Sequence, residues 1–355
     1  MKKYFIFFFF FTIVSCKTQR VCLNPSGATV DWYSIFFMPE NNKKEIYYYY
    51  IDSTLPEPKL IKYEESTFPP THVTKYALDK QDQSFNYIFW NDDKGIDESD
   101  AKSTTVAHAK GSLVYDSQYG AFILHSLPRY PQRTRSNDIL TKLPDNSGVY
   151  AQTFLCISVN KENAEKIVEM LNCVHAQVNK GVDKDRVNSR PNEYFQGLLE
   201  RKIHQNCKNT HNGKIYSKAG KPFRFFGKNY KSQLIPYDTT LGFEYNDNFF
   251  VRTWTRPSLC PSIHGKYNII NVLTVGFGSY TINSSGEHSK WAVAETKNIV
   301  CFSDLNHTTS QIKRGGHIVC FENKVLHDFM LKSIKETDDK TLPKKSLMKP
   351  FLRFK

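Results

Sequence analysis

Short apolar runs separated by polar turns recur along most of the chain and predict a protein rich in β-strands. Strands are predicted at residues 30–37, 47–51, 85–90, 150–159, 249–254 and 267–275. Two stretches show helical spacing instead. Asn160 is a favourable N-cap for a helix with apolar positions from Ala164 to Val174, and a second helix is predicted near residues 324–334. Strands and helices mixed in two comparable parts indicate an α+β fold of mixed α/β layers.

Two further patterns each predict a strand, a turn and a second strand, over residues 112–124 and 291–302. Both open with a histidine and a lysine two positions apart: His108 with Lys110, and His288 with Lys290. On an extended backbone, residues two apart point to the same side. Each motif should therefore present an imidazole and an ammonium group together.

A hairpin returns its far end to its start, so its last residues should lie beside the motif that opens it. We therefore expect His125 near His108, and Asp304 or Asn306 near His288. A third His-x-Lys at His264 contains a glycine and follows a proline, and is interpreted as a loop coincidence. The repeated arrangement makes the other two motifs more specific than either would be alone.

A neutral imidazole can attack phosphorus or accept a proton, and an ammonium group beside it can hold a phosphate oxygen. Two such motifs facing each other would form a metal-free site that cleaves phosphodiesters. No pair of cysteines has the close spacing of a zinc site. We expect neither a metal nor an organic cofactor.

These segments resemble the deoxyribonuclease II family, a branch of the phospholipase D superfamily. The resembling stretches lie at residues 24–33, 47–52, 108–111, 124–128, 283–291, 304–306 and 314–316, within roughly residues 22 to 335. Three departures stand out: Ala109 replaces the usual threonine, His317 replaces a glycine, and Cys207 lies in a poorly matching stretch. None removes a group that the chemistry needs.

The resemblance implies a phospholipase D-like fold, with two pseudo-twofold-related halves in one chain and the active site at their seam. The first half is predicted at residues 17–175 and the second at residues 233–335. A basic insert or linker, residues 176–232, lies between them, and a basic tail covers residues 336–355.

The resemblance also implies an acid endodeoxyribonuclease that cleaves double-stranded DNA without metal. His108 would attack phosphorus to form a phosphohistidine, and protonated His288 would donate to the leaving oxygen, giving 3′-phosphate and 5′-hydroxyl ends. Lys110 and Lys290 would stay charged and hold the non-bridging oxygens. The sequence does not decide which histidine attacks. The supporting groups, which would orient the histidines or contact phosphate, are His125, Asp304 and Asn306.

The formal net charge is +13, and residues 176–232 hold 13 Lys and Arg against four Asp and Glu. Such a segment is either a solvated loop or a surface that binds DNA backbone independently of sequence.

Two other functions remain open: a phosphodiesterase of the same superfamily acting on RNA or lipid, and an inactive secreted DNA-binding homologue. No amphipathic membrane-binding stretch is evident, so no membrane partner is expected, and the oligomeric state is open.

Residues 1–16 have a positive start and a short apolar core, which predicts a secretory signal peptide and a lysosomal or secreted protein. A lipoprotein signal with Cys16 as the lipidated residue is the minority alternative. Asn283 begins an Asn-Ser-Ser glycosylation sequon.

Seven cysteines follow Cys16, and disulfides are expected in an exported chain. The resemblance implies the pairs Cys22–Cys156 and Cys301–Cys320. An odd number is left, so one thiol should be free; the unassigned residues are Cys173, Cys207 and Cys260.

Overall fold

The computed structural model describes residues 19–78, 84–92, 107–133, 139–145, 147–178, 192–256 and 258–339. The predicted signal peptide lies outside these ranges, as do residues 340–355 of the predicted tail and residues 179–191 of the predicted insert. Within the described ranges, no helix is both long and apolar enough to span a bilayer.

The first sheet is antiparallel throughout. Its strands are β1 (Trp32–Phe37), β2 (Tyr47–Asp52), β3 (Lys59–Lys62), β4 (Phe85–Trp90), β5 (Gly111–Asp116), β6 (Tyr119–His125) and β9 (Gln152–Asn160). Between β6 and β9 in the chain, β7 (Gln132–Arg133) and β8 (Ile139–Leu140) form a separate two-stranded sheet. The strand order across the first sheet is β3-β2-β1-β9-β6-β5-β4. The hairpin predicted after His108 is the β5–β6 pair.

The second sheet is antiparallel except for one pair. Its strands are β10 (Thr210–Tyr216), β11 (Pro222–Lys228), β12 (Phe249–Arg252), β13 (Ile269–Phe277), β14 (Tyr280–Asn283), β15 (Trp291–Ala294), β16 (Ile299–Ser303), β17 (Gly316–Glu322) and β18 (Ile334–Thr337). The order is β10-β11-β17-β16-β15-β12-β13-β14, with β18 also paired to β13, and β12 runs parallel to β13. The β15–β16 pair is the hairpin predicted after His288.

In the part of the chain that the structure describes, five α-helices accompany the sheets: α1 (Pro69–Tyr76), α2 (Lys161–Cys173), α3 (Glu193–Glu200), α4 (Gly242–Tyr245) and α5 (Lys324–Ser333). Helix α2 begins after the predicted cap, because the Asn160 side chain accepts a hydrogen bond from the Asn163 amide. Helices α2 and α5 bury their apolar faces in the main core. The predicted α+β class is confirmed.

The main core lies between the two sheets. The ring of Trp32 in β1 lies edge-on to Phe321 in β17, with centroids 5.1 Å apart, and Phe36 lies 5.9 Å from Phe302. These large apolar side chains supply most of the free energy that holds the sheets together. The packing also brings the ends of β6 and β16 close to each other, which positions the site.

Parts of the two sheets correspond. The order β9-β6-β5-β4 in the first matches β17-β16-β15-β12 in the second, and a helix follows both β9 and β17. The predicted insert contributes α3 and also β10 and β11, which extend the second sheet by pairing β11 with β17. Its described part is therefore largely built into that sheet.

Three disulfides join described residues of the chain. Cys22–Cys156 ties the segment before β1 to β9, and Cys301–Cys320 joins directly paired residues of β16 and β17. Both are the pairs that the resemblance implied. The third, Cys173–Cys207, fastens the end of α2 to the chain beyond α3. Cys260 is a free, buried thiol, as the odd count required.

Candidate active site

The two His-x-Lys motifs stand at equivalent places in their hairpins. Strand β5 begins directly after Lys110, and β15 begins directly after Lys290. The amide of His125, at the end of β6, donates to the Lys110 carbonyl at 3.2 Å, and the amide of Ser303, at the end of β16, donates to the Lys290 carbonyl at 3.0 Å. Hairpin closure therefore holds both motifs in the same way.

Each histidine ring is held by the hairpin of the opposite sheet. The His108 Nδ1 atom lies 2.6 Å from the main-chain oxygen of Asp304, and His288 Nδ1 lies 2.9 Å from that of Ser126. A carbonyl oxygen only accepts, so both Nδ1 atoms must carry a proton. This leaves Nε2 of each neutral ring with its lone pair free to accept or attack.

The main-chain amides of the two histidines are also bonded to the opposite half of the chain. The His108 amide donates to the Gly315 carbonyl at 2.8 Å, and the His288 amide donates to that of Ala151 at 2.9 Å. Gly315 directly precedes β17 and Ala151 directly precedes β9, so these acceptors are equivalent too. A Cβ at Gly315 would lie 1.9 Å from the Val174 oxygen, so only glycine allows this approach.

Hairpin closure alone predicted that Asp304 or Asn306 lies near His288. The structure has the Asp304 carbonyl on His108 rather than on His288, and it is the main chain rather than the side chain that makes the contact. The carboxylate forms a short contact with His317 Nδ1, and both side chains are fully buried. Asp304 also accepts from the Lys110 amide at 3.4 Å. His317, at the position where the family was expected to have glycine, thus supports Asp304.

A carboxylate that sequence reasoning missed lies beside the first motif. Asp92 follows β4, and its carboxylate contacts the Lys110 ammonium closely, Arg314 at 3.1 Å and His108 Nε2 at 3.5 Å. Burial would raise the pKa of Asp92, but the charges of Lys110, His108 and Arg314 outweigh it and hold the pKa far below its usual range. The available signal was an acid two residues after a buried strand.

Aromatic rings occupy the equivalent place beside the second motif. Trp254 follows β12 as Asp92 follows β4, and its ring lies 5.5 Å from that of His288. Tyr150 lies edge-on to Trp254 at 5.3 Å. The two histidines therefore have similar anchors and different neighbours: a carboxylate at His108, and half-buried aromatic rings at His288.

Burial and neighbouring cations disfavour protonation of both histidines. The pKa of His108 lies well below the ordinary value because of burial, then the charge of Lys110, with Asp92 opposing. The pKa of His288 is lowered by burial and by Lys290 and Lys110. The effect of Lys110 on His288 reflects how closely the two motifs approach.

Lys290 does not match the expectation of a permanently charged lysine. Burial, followed by the charge of Lys110, lowers the pKa of Lys290 to about 7, although Asp92 and Glu287 oppose the shift. Its ammonium group donates to the His288 carbonyl at 2.7 Å. The residue thus titrates near neutrality instead of remaining a fixed cation.

A buried ion pair fixes the backbone of the second motif. The Glu287 carboxylate accepts from the Ser289 amide at 2.9 Å and pairs with Arg252 at 3.0 Å. Arg252 is fully buried and its other nitrogens donate to the Val272 and Ile282 carbonyls. Because each guanidinium nitrogen is hydrogen-bonded, the ion pair holds the backbone on either side of His288 in a fixed position.

The remaining predicted residues have diverse surroundings. The His125 ring is buried between Tyr130 and Phe154, and burial followed by the charge of Lys110 lowers its pKa to about 3. Asn306 is 6% exposed, and its Oδ1 atom has no hydrogen-bond partner among the described residues. Asn283 is exposed and caps the turn that leads to the second motif. His264, in the third His-x-Lys, is 56% exposed.

A deoxyribonuclease II family model matches residues 21–340. The chain belongs to the deoxyribonuclease II family. The family and the deoxyribonuclease II class of enzyme predicted from the sequence are thereby confirmed. In the described ranges of this family member, no three His, Cys, Asp or Glu side chains converge in a manner suited to a metal ion.

Relatives from animals and bacteria cover most of the chain. It is 26% identical over 323 residues to deoxyribonuclease-2-alpha of Rattus norvegicus, covering 84% of this chain and 88% of that protein. It is 26% identical over 335 residues to plancitoxin-1 of Acanthaster planci, covering 89% and 91%. A putative deoxyribonuclease-2 of Burkholderia thailandensis is 26% identical over 262 residues, covering 71% of each.

Proposed function

We propose that this deoxyribonuclease II family member is an acid endodeoxyribonuclease whose catalytic groups are His108, Lys110, His288 and Lys290. The observation that carries the proposal is the reciprocal hydrogen bonding, in which each ring is fixed through Nδ1 by the opposite hairpin. Two imidazoles held in one tautomer by equivalent contacts suit a reaction that uses both Nε2 atoms.

The same contacts support a phospholipase D-like arrangement of two pseudo-twofold-related halves with the site at the seam. The matching strand order and the helices after β9 and β17 agree with this arrangement. Because each half supplies the acceptors for the other half's histidine, neither half would form an ordered site alone.

In the first step, the lone pair of His108 Nε2 attacks phosphorus, a P–N bond forms and the bond from phosphorus to the 5′ oxygen breaks. His288, protonated, gives its Nε2 proton to that oxygen. In the second step, His288 takes a proton from water, the water oxygen attacks phosphorus and the P–N bond breaks. The products carry 3′-phosphate and 5′-hydroxyl ends.

The assignment of roles follows from the neighbours of each ring. His108 is 8% exposed, and as the ring becomes positively charged its Nδ1–H group continues to donate to the Asp304 carbonyl. His288 is more exposed than His108, which suits a group that must reach the leaving oxygen and then water. Lys110 and Lys290 would neutralise the non-bridging oxygens, the task that metal ions perform in many other nucleases.

DNA backbone is the proposed partner, bound without regard to sequence. Of the basic residues in the segment 176–232, Lys208, Lys214 and Lys218 are exposed, whereas Lys228 is fully buried and donates to the Ile312 carbonyl. The exposed lysines would contribute phosphate contacts. Three disulfides agree with folding in the secretory pathway and with a lysosomal or secreted protein that carries a glycan at Asn283.

Nicking of supercoiled plasmid at about pH 5 in excess chelator tests the proposal. Wild type should nick, while His108→Ala and His288→Ala should lose at least on the order of a hundredfold in rate. His264→Ala, which alters the exposed third motif, is the matched control and should nick normally. Cleavage that needs magnesium, or that proceeds at near-normal rates in either active-site variant, would refute the mechanism. Cleavage of RNA or a phospholipid instead of DNA would favour the alternative substrates.

A further inference from the structure

Asp92 and Arg314 have no role in the proposed reaction, yet Asp92 lies beside His108 Nε2 and the Lys110 ammonium, and Arg314 pairs with Asp92. One Asp92 oxygen contacts the Lys110 ammonium, and the other lies 3.1 Å from an Arg314 nitrogen and 3.5 Å from His108 Nε2. The Asp92 side chain is only 10% exposed. A buried carboxylate thus lies between two cations, Lys110 and Arg314, and beside the Nε2 atom that would attack phosphorus.

The arrangement matches what a phosphodiester would need. A carboxylate and a phosphodiester each carry one negative charge over two oxygens, so one can replace the other without a change in net charge. Lys110 faces one oxygen and Arg314 faces the other, as they would face two non-bridging oxygens, and His108 Nε2 lies 3.5 Å from the second oxygen, close to where phosphorus would stand for attack. A phosphate that reaches His108 Nε2 therefore has to displace the Asp92 carboxylate.

Arg314 is held in place rather than reaching in from solvent. The same nitrogen that faces Asp92 lies 3.2 Å from the Ala107 carbonyl, and the next residue, Gly315, accepts from the His108 amide. The guanidinium is thereby fixed to the segment that carries the first motif. At the equivalent place in the second motif stands Trp254, so that position supplies no carboxylate.

We infer that Arg314, with His108 and Lys110, forms the subsite for the scissile phosphate, and that Asp92 occupies this subsite as an internal competitor. The identity of the anion as a DNA phosphate rests on the proposed function, whereas anion binding itself does not. Arg314 is then a substrate-binding residue, and Asp92 sets how readily phosphate enters.

Calorimetric titration with inorganic phosphate at about pH 5 tests the inference, because inorganic phosphate is then a monoanion, as a phosphodiester is. Asp92→Asn should tighten phosphate binding by on the order of tenfold, since the competing charge is gone while Lys110 and Arg314 remain. Arg314→Met should weaken it by a similar factor, and Arg314→Lys by less, because lysine keeps the charge and loses the fork. The two residues thus have effects of opposite sign.

Matched controls use ionic groups outside the site. Asp328→Asn removes an acid paired with Lys324, and Arg20→Met removes an arginine that lies over the rings of Tyr76 and Phe85. Neither should change phosphate affinity. Weaker binding in Asp92→Asn would mean that Asp92 is a permanent partner of Lys110 and would overturn the inference. If Asp92→Asn does not fold, an unchanged phosphate affinity in Arg314→Met is enough to overturn the inference.

Cleavage of DNA by the same variants separates this inference from the proposed function. If the phosphate affinities shift as expected but the protein cleaves no DNA, the phosphate subsite is supported and the proposed nuclease function is refuted. Normal DNA cleavage with unchanged KM and unchanged phosphate affinity in Arg314→Met would refute the subsite and leave the nuclease standing.

Discussion

The Nδ1 atom of His108 and the main-chain oxygen of Asp304 lie 2.6 Å apart, although His108 precedes a strand of the first sheet and Asp304 follows a strand of the second. The counterpart of this contact runs from His288 to Ser126. Because a main-chain oxygen makes the contact, the tautomer of His108 is set by the position of the backbone and not by the charge of a side chain. The site therefore depends on how the two sheets pack.

A substitution at Asp304 tests whether its main-chain oxygen or its side-chain charge controls His108. Asp304→Asn keeps the main-chain oxygen and can still pair with His317, so kcat for DNA cleavage should fall by less than about tenfold. His317→Phe leaves the buried carboxylate without its partner and should lower the free energy of unfolding by about 3 to 5 kcal/mol. Adding Asp304→Asn to that variant should restore part of the stability in urea unfolding. A decrease in kcat near that of His108→Ala in the single Asp304 variant would contradict main-chain control.

The pH profile of cleavage should fall steadily from acid towards neutral pH. The reaction needs one neutral and one protonated histidine, and the pKa values of both His108 and His288 lie below the ordinary value of about 6.5. Above the lowered values both rings are neutral and the proton donor is absent. Lys290, whose pKa is about 7, then loses its charge as well. Bound phosphate would raise all three pKa values. A profile of kcat/KM that stays flat to about pH 8 would rule this out.

The sequence alone predicted what local patterns determine. Both hairpins, the Asn160 cap and the positions of the two motifs follow from apolar spacing within a few residues. The contacts of Asp92, Arg314 and His317 follow instead from the register of strands far apart in the chain. No local pattern carries that information, so these residues were missed or given no role.

Two features of the site depend on how the two sheets pack. Hairpin closure, which considers one sheet, predicted Asp304 or Asn306 near His288, and the packing of the two sheets adds the contact between the Asp304 carbonyl and His108. Lys290 was expected to stay charged because a lysine ordinarily titrates near 10.4. Its complete burial beside Lys110, which only the assembled site produces, lowers that pKa to about 7.

Reversing exposed charges in the basic segment should flatten the salt dependence of DNA binding. We expect the triple variant Lys208→Glu, Lys214→Glu, Lys218→Glu to lower the slope of log K against log salt by about 0.9 for each of these lysines that binds a phosphate in the wild type. Fluorescence anisotropy with a labelled duplex measures the slope. The control reverses exposed lysines elsewhere: Lys43, Lys59 and Lys332. Equal slopes in the two triple variants would mean that the segment is only a solvated surface.

Removing the disulfides should destabilise the protein according to the length of the loop that each closes. Cys22–Cys156 spans 134 residues and Cys301–Cys320 spans 19. Loop-closure entropy makes the first bond worth about 1.7 kcal/mol more than the second. Paired serine variants, compared by urea unfolding, test this. A greater destabilisation on removing Cys301–Cys320 would show that strain or packing near the site outweighs the entropy.

Covalent capture of phosphate on His108 tests the central claim most directly. Thymidine 3′-(4-nitrophenyl phosphate) replaces the 5′ oxygen by a leaving group that departs without a proton donor. With this substrate His288→Ala should release a burst of nitrophenolate equal to the enzyme concentration and then stall, because no group activates water. Mass spectrometry should find thymidine 3′-phosphate bonded to the peptide that contains His108, and His108→Ala should show neither burst nor adduct. A burst that survives in His108→Ala, or an adduct on another residue, would contradict the paired-histidine mechanism.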